Sequence, residues 1–169
     1  MTEPAIVLIG PMGAGKSSIG KKLARSLGTT FTDSDSVVVQ AHGPIEQVFA
    51  EHGEAHFREI ERAAVTAALA RGGVVALGGG AVLHPATQQD LAAHRVVLLT
   101  VSDHTIASRL RGTTRPLLQG DDPLARWREV TESRRELYER LATARFDTST
   151  GPIHDIVDAI AAWAQEATS

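Results

Sequence analysis

Gly10-Pro11-Met12-Gly13-Ala14-Gly15-Lys16-Ser17 satisfies the pattern G-x-x-x-x-G-K-[ST]. It stands between an apolar run, Ala5-Ile6-Val7-Leu8-Ile9, and a segment in which Ile19, Leu23, Ala24 and Leu27 recur at helical spacing. Strand, glycine-rich turn and helix in that order make a cradle for phosphates. The glycines let the backbone bend until successive N–H groups point inward, and the positive end of the helix dipole adds attraction. A nucleoside triphosphate is therefore the expected ligand. Lys16 is expected to bridge its β- and γ-phosphates, and the Ser17 hydroxyl to ligate Mg²⁺, a cation that prefers hard oxygen donors. A fortuitous glycine-rich turn would not require both flanking elements to agree.

A chain of 169 residues, 43% hydrophobic and 22% charged, has the size and composition of one globular domain. Its formal charge of −3 argues against a dedicated nucleic-acid or anionic-membrane surface, which would show a basic excess. Cysteine is absent, which excludes disulfides, thiolate metal sites and a cysteine nucleophile. The first apolar strand starts close to the N-terminus with no charged leader, and no segment approaches the ~20 apolar residues that span a bilayer. These features lead us to expect a cytoplasmic protein without membrane or nucleic-acid partners.

Periodicity and turn signals predict a short strand at Thr29–Thr32 ending at Asp33-Ser34-Asp35, then helical pattern over Val37–Gln40 and Ile45–Glu51, broken by Gly43-Pro44. A longer helix is expected over 55–71, and a strand over Val74–Leu77 running into Gly78-Gly79-Gly80. Pro85 opens a short helix to Ala92, and Arg95–Val101 reads as a strand buried on both faces. Asp103 is the expected N-cap of a helix through Leu110, and Arg111–Asp122, with Gly112, Pro116 and Gly120, reads as a mobile loop. Leu124–Ala144 is expected to be a long helix with Trp127 as a core anchor, followed by a short strand at Arg145–Thr148 and a last helix at Ile153–Glu166 that carries a second anchor, Trp163. Alternating strands and helices imply a parallel sheet with helices on both faces, and ligands at the carboxyl ends of its strands.

Those strand ends carry more than the loop. Asp33-Ser34-Asp35, Phe57-Arg58, Gly78-Gly79-Gly80, Arg115-Pro116-Leu117-Leu118 and Arg134-Arg135-Glu136-Leu137-Tyr138, in this order and spacing, closely resemble shikimate kinase over nearly the whole chain. The resemblance implies a P-loop α/β/α fold whose five parallel strands run in the order 2-3-1-4-5. It also implies transfer of the γ-phosphoryl of Mg-ATP to the 3-hydroxyl of shikimate in aromatic amino-acid biosynthesis. Residues 1–169 would then form one kinase domain, with a shikimate-binding region at about 35–61 and a lid at about 111–122.

Residue by residue, the resemblance implies nucleotide contacts from Gly13, Ala14, Gly15, Lys16, Ser17 and Ser18. Asp33 becomes a carboxylate near Mg²⁺, acting through water, and Asp35 the group that hydrogen-bonds the acceptor hydroxyls and a candidate base. An isolated D-S-D would instead read as an Asx turn or helix N-cap. Arg58 and Arg134 match two carboxylate-binding positions, a task suited to a planar guanidinium. Glu61, three residues beyond Arg58, is expected either to hold that arginine or the substrate, or to form a surface pair with it. Arg135 points elsewhere on its helix and is expected to be solvated.

Gly79 and Gly80 are expected at the acceptor, where glycine permits both a tight turn and close approach. Arg115 matches the lid arginine that neutralises the transferring phosphoryl, Arg109 resembles an adenine-stacking arginine, and Pro152 resembles a residue of the adenine loop. Arg109 in isolation would be a surface side chain lying along its helix. His52 and His56 have i,i+4 spacing but no evident third metal ligand, so a hydrated pair is expected. A gluconate-type metabolite kinase and a nucleotide-binding regulator that has lost catalysis are the other readings. Arg58, Arg134 and the glycine triplet favour shikimate over the first, and Lys16, Ser17, Asp33, Asp35 and Arg115 argue against the second. A monomer is the default expectation.

Overall fold

The computed structural model describes residues 3–110 and 122–166. Its strands are β1 (Ile6–Ile9), β2 (Phe31–Asp33), β3 (Val74–Ala76), β4 (Arg95–Thr100) and β5 (Ala144–Asp147), all parallel, in the order β2-β3-β1-β4-β5. The helices are α1 (Lys16–Leu27), α2 (Ser34–His42), α3 (Ile45–Arg71), α4 (Pro85–Leu91), α5 (Asp103–Arg109), α6 (Pro123–Leu141) and α7 (Ile153–Glu166).

Side-chain alternation along the strands sorts the helices into two layers. Val7, Ile9, Val75, Leu77, Val96 and Leu98 face α3, α4 and α6 through Val65, Leu69, Leu91 and Tyr138. Ile6, Leu8, Val74, Val97 and Leu99 face the other way, onto Ile19 and Leu23 of α1 and Val157 and Ile160 of α7. Fully buried side chains such as Leu8, Leu23 and Leu99 each contribute about 1.5–3 kcal/mol by leaving water. A satellite cluster of Val38, Val48, Phe57 and Ala64 joins α2 to α3. Another, of Ile106, Leu110 and Trp127, joins α5 to α6.

Several local expectations need correction. Ser102, not Asp103, caps α5, its hydroxyl accepting the Thr105 N–H. The helix begun at Pro123 stops at Leu141, so Ala144 belongs to β5. Ile45–Arg71 is one helical run bent at Gly53, whose φ of 83° is a left-handed conformation that most side chains would resist. The bend keeps the two expected helices distinct in direction. Trp127 is buried as expected, while Trp163 is only partly so and packs edge-on to Phe146. Most of the expected lid, including Arg115, lies outside the described residues, and Asp122 at its end caps α6 by accepting the Ala125 N–H.

Candidate active site

The loop between β1 and α1 opens at the carboxyl end of the central strand. Gly15 caps α1 with φ 95°, a turn that glycine makes without a Cβ penalty. Gly13, Ala14, Gly15, Lys16, Ser17 and Ser18 line a cavity of about 460 Å³ with Asp33, Asp35, Gly78, Gly79, Arg109 and Thr148 to Gly151. Lys16 donates from Nζ to the carbonyls of Gly10 and Pro11 at 2.7 and 3.0 Å, so its ammonium lies over the loop.

Asp33, the last residue of β2, does two things at once. Oδ1 accepts the N–H groups of Asp35 and Ser36 and so caps α2, while Oδ2 accepts the Ser17 hydroxyl. The N-cap considered for an isolated D-S-D thus falls to Asp33, and capping leaves Asp35 in the first turn of α2. Ser17 and Asp33, expected to share a cation, are therefore brought together. Hard oxygens from one hydroxyl and one carboxylate form the sparse donor set that suits a small divalent cation bound mainly by phosphate and water.

A second cavity, of about 360 Å³, adjoins the first. Asp35, Gly78 and Gly79 line both, while Met12, Val39, Phe49, Phe57, Arg58, Glu61 and Gly80 line only the second. The rings of Phe49 and Phe57 lie 4.8 Å apart and give it an aromatic wall. Arg58 meets Glu61 at 2.8 Å and Glu54 at 3.3 Å. Glu61 is only 3% exposed, which overturns the surface-pair reading. Burial raises the Glu61 carboxyl above its ordinary range, the adjacent Arg58 charge opposes that shift, and Asp35 adds to it.

The glycine triplet makes room for this array. A Cβ on Gly78 would stand 2.5 Å from Asp35 Oδ1, and one on Gly80 would stand 2.5 Å from both terminal nitrogens of Arg58. Ser34, wholly buried between the two aspartates, fixes the triplet's start by accepting the Gly78 N–H at 3.0 Å.

α6 packs against the triplet at Gly79. Arg134 is 6% exposed and lies close to the Tyr138 hydroxyl, which itself donates to the Gly79 carbonyl at 2.7 Å. Burial pushes the Tyr138 phenol up, against the lowering charge of Arg134. Arg135, one residue along, is exposed and pairs with Glu132, as expected.

Arg109 does not lie along its helix. It reaches across to the carbonyls of Gly13 and Thr148, at 2.6 and 3.1 Å. Pro152 does not line the nucleotide-side cavity, although its neighbours Gly151 and Ile153 do. His52 and His56 stack at 4.7 Å, and among the described residues no group of three or more potential ligands could hold a metal ion. No described helix is long and apolar enough to cross a membrane.

Sequence reading gave no role to Ser34, Tyr138 or Thr148 and treated Trp127 as a core anchor alone. The Trp127 indole N–H in fact donates to the Met12 carbonyl at 2.8 Å, and the Thr148 hydroxyl to that of Ala14 at 2.8 Å. Only the fold brings these partners, more than a hundred residues apart, into contact.

The sequence model of the family described as shikimate kinase matches residues 12–165. The chain belongs to the shikimate kinase family. It is 44% identical over 159 residues to the shikimate kinase of Corynebacterium efficiens, covering 93% of this chain and 94% of that one. Among solved structures, the shikimate kinase from Acinetobacter baumannii in complex with shikimate superposes with a TM-score of 0.92 at 33% identity, over 98% of this chain and 94% of that one. A gluconokinase from Sinorhizobium meliloti superposes less well, with a TM-score of 0.65 at 25% identity over 94% and 90% of the two chains. Membership of the shikimate kinase family makes the chain an ATP-dependent kinase that phosphorylates an alcohol group and implies a divalent cation with the nucleotide.

Proposed function

We propose that the adjoining cavities hold the two substrates of shikimate phosphorylation, ATP on the loop side and shikimate on the side of Arg58 and Arg134. The observation that carries the reading is that Asp35 lines both cavities, with Arg58 paired to the buried Glu61 on the acceptor side and Arg134 beside Gly79. Arg58 and Arg134 bind the ring carboxylate with charge-assisted hydrogen bonds. Phe49 and Phe57 lie against the carbon skeleton, and the Gly79–Gly80 backbone lets the ring approach closely.

Asp35 orients the 3-hydroxyl and takes its proton as the new O–P bond forms. The bond from the γ-phosphorus to the bridging oxygen breaks, and that electron pair leaves on ADP. Transfer of this kind owes most to alignment and charge stabilisation. Lys16 and the loop N–H groups stabilise the phosphate oxygens, and Arg115, matched by resemblance, adds a positive charge from the lid.

The cation is Mg²⁺, with Ser17 as its ligand and Asp33 acting through water, and its chemistry is to offset charge on the phosphate oxygens. Arg109 flanks the adenine, and Pro152, which does not line the cavity, belongs to the loop around it through its neighbours Gly151 and Ile153. Residues 1–169 act as one kinase domain with an acceptor region at about 35–61 and a lid at about 111–122, monomeric and cytoplasmic.

The test is Mg²⁺-dependent ADP release from ATP with shikimate, with gluconate and with no acceptor, the phosphorylated product being identified by mass spectrometry. Shikimate-dependent turnover yielding shikimate 3-phosphate is expected. Turnover with gluconate alone would overturn the acceptor assignment, and ATP binding without either product would point to a regulatory protein.

A further inference from the structure

Three consecutive carbonyls of the phosphate loop are each held by a side chain from a different part of the fold. The Met12 carbonyl accepts the Trp127 indole N–H from α6 at 2.8 Å. The Gly13 carbonyl accepts Arg109 Nη1 from α5 at 2.6 Å. The Ala14 carbonyl accepts the Thr148 hydroxyl, just beyond β5, at 2.8 Å. None of these side chains follows from the loop motif.

A trans, planar peptide points its C=O and the next residue's N–H in opposite directions, and the described chain has no cis peptide. Holding the carbonyls of Met12, Gly13 and Ala14 therefore fixes the N–H groups of Gly13, Ala14 and Gly15 in the opposite direction. The Ala14 N–H closes the loop's turn on the Pro11 carbonyl at 3.2 Å, while Gly13 and Gly15 line the cavity. Glycine makes this peptide chain easy to flip, so the direction of its N–H groups must be fixed by something outside it.

Trp127 and Thr148 are built for that task. Trp127 is 3% exposed and wedged among Ile106, Leu110 and the side chain of Met12. Thr148 is 5% exposed, and its hydroxyl is also within 3.0 Å of the Thr100 carbonyl at the end of β4. Both are anchored in packed structure and reach the loop with a single polar atom.

We propose that Trp127 and Thr148 are positioning residues that pre-set the phosphate-binding N–H groups by gripping the loop carbonyls. The inference rests on the reading of this loop as the ATP site. Pre-setting a cradle spares the ligand the cost of ordering it, so its loss falls on nucleotide affinity and on transfer, and acceptor affinity is spared.

Calorimetric titration with ATP and, separately, with shikimate tests it on Trp127→Phe, Thr148→Val and Thr148→Ser, with thermal unfolding as a check on each variant. Phe keeps a packed ring without the N–H, Val keeps the shape of Thr without the hydroxyl, and Ser keeps the hydroxyl. The expected result is a roughly five- to twentyfold weaker ATP Kd for Trp127→Phe and Thr148→Val, with shikimate within about twofold of the parent and Thr148→Ser retaining ATP affinity. Unchanged ATP affinity in the Phe and Val variants, or equal weakening of both ligands, would overturn the proposal. Should Trp127→Phe fail to fold, the Val and Ser variants of Thr148 decide it alone. Shikimate-dependent turnover of the parent, measured in the same series, separates failure of the kinase reading from failure of this inference.

Discussion

The two cavities are built from different materials. The side proposed for the nucleotide is built on backbone, a loop of turned peptides whose carbonyls are held by Trp127, Arg109 and Thr148. The side proposed for the acceptor is largely side chain, with aromatic rings and the Arg58–Glu61 pair from α3 and with Arg134 of α6 beside Gly79. Phosphate presents the same oxygens in every nucleotide, so oriented amides suffice for it. A ring carboxylate with neighbouring hydroxyls needs groups of particular shape and charge. General chemistry is thus entrusted to the backbone and substrate selection to side chains.

Substitution on either side should separate them. Lys16→Ala removes charge stabilisation from the transfer itself and should lower kcat by about 10²–10³-fold even with both substrates saturating. Near-normal turnover would break the division at its nucleotide end. Arg134→Ala should weaken shikimate binding about 10–100-fold, the worth of a hydrogen bond to a charged group, while leaving ATP affinity nearly intact in calorimetry. Equal weakening of both would show that the sides are not separable.

A smaller effect is expected at Glu61. Burial raises its carboxyl while Arg58 holds it down, so ionised Glu61 costs folding energy and uses its charge to steer Arg58. Glu61→Gln keeps an acceptor for Arg58 without that charge. Shikimate KM should rise about three- to tenfold with thermal stability unchanged or higher. Because the folded-state value is raised, this group's destabilisation grows as pH rises through the ordinary value of 4.5 and saturates above the raised one, and Glu61→Gln should abolish that dependence in thermal unfolding.

The smallest effect lies outside both cavities. His94 accepts the Ala5 N–H on Nδ1 and is held below its usual value of 6.5 by burial, against the raising charge of Asp90. Its contribution to stability is full above that value and lost as pH falls toward the lowered one, because the unfolded chain binds the proton first. Thermal unfolding between neutral pH and about pH 5 should show a smaller decline in His94→Gln than in the parent, with both substrate affinities unaffected at neutral pH.

This contrast also explains what was legible in the sequence. The loop is a contiguous motif between two periodic elements, so Gly10 to Ser17 fixed the central strand, the first helix and the phosphate site together. Continuous apolar runs such as Val96 to Leu99 similarly marked buried parallel strands, and the strand order followed from the family resemblance. Arg58 and Arg134 are 76 residues apart and are joined in the sequence only by that resemblance; in the fold Arg58 lines the second cavity and Arg134 lies beside Gly79 at its edge.

Most of what the sequence does not display depends on tertiary packing. Glu61 looked equally suited to the surface because burial is a property of what packs above a helix. Trp127, Tyr138 and Thr148 were read as packing residues or passed over because a single polar atom on a mostly apolar side chain leaves no periodic trace. Ser34 escaped notice because its role depends on β3 lying beside β2. At the start of α5, Ser102 and Asp103 are adjacent and equally good capping residues, and only the fold shows that Ser102 caps.

The division of labour meets at Asp35, which borders both cavities. The most direct measurement is therefore of Asp35→Asn, comparing ATP Kd, shikimate Kd and the single-turnover rate of phosphoryl transfer with both substrates bound. The account predicts ATP affinity within about twofold, shikimate affinity within about tenfold and a transfer rate lowered by about 10²-fold or more, because the side chain keeps its shape and loses its proton acceptor. A transfer rate within about threefold of the parent would contradict the placement of Asp35 at the reacting hydroxyl.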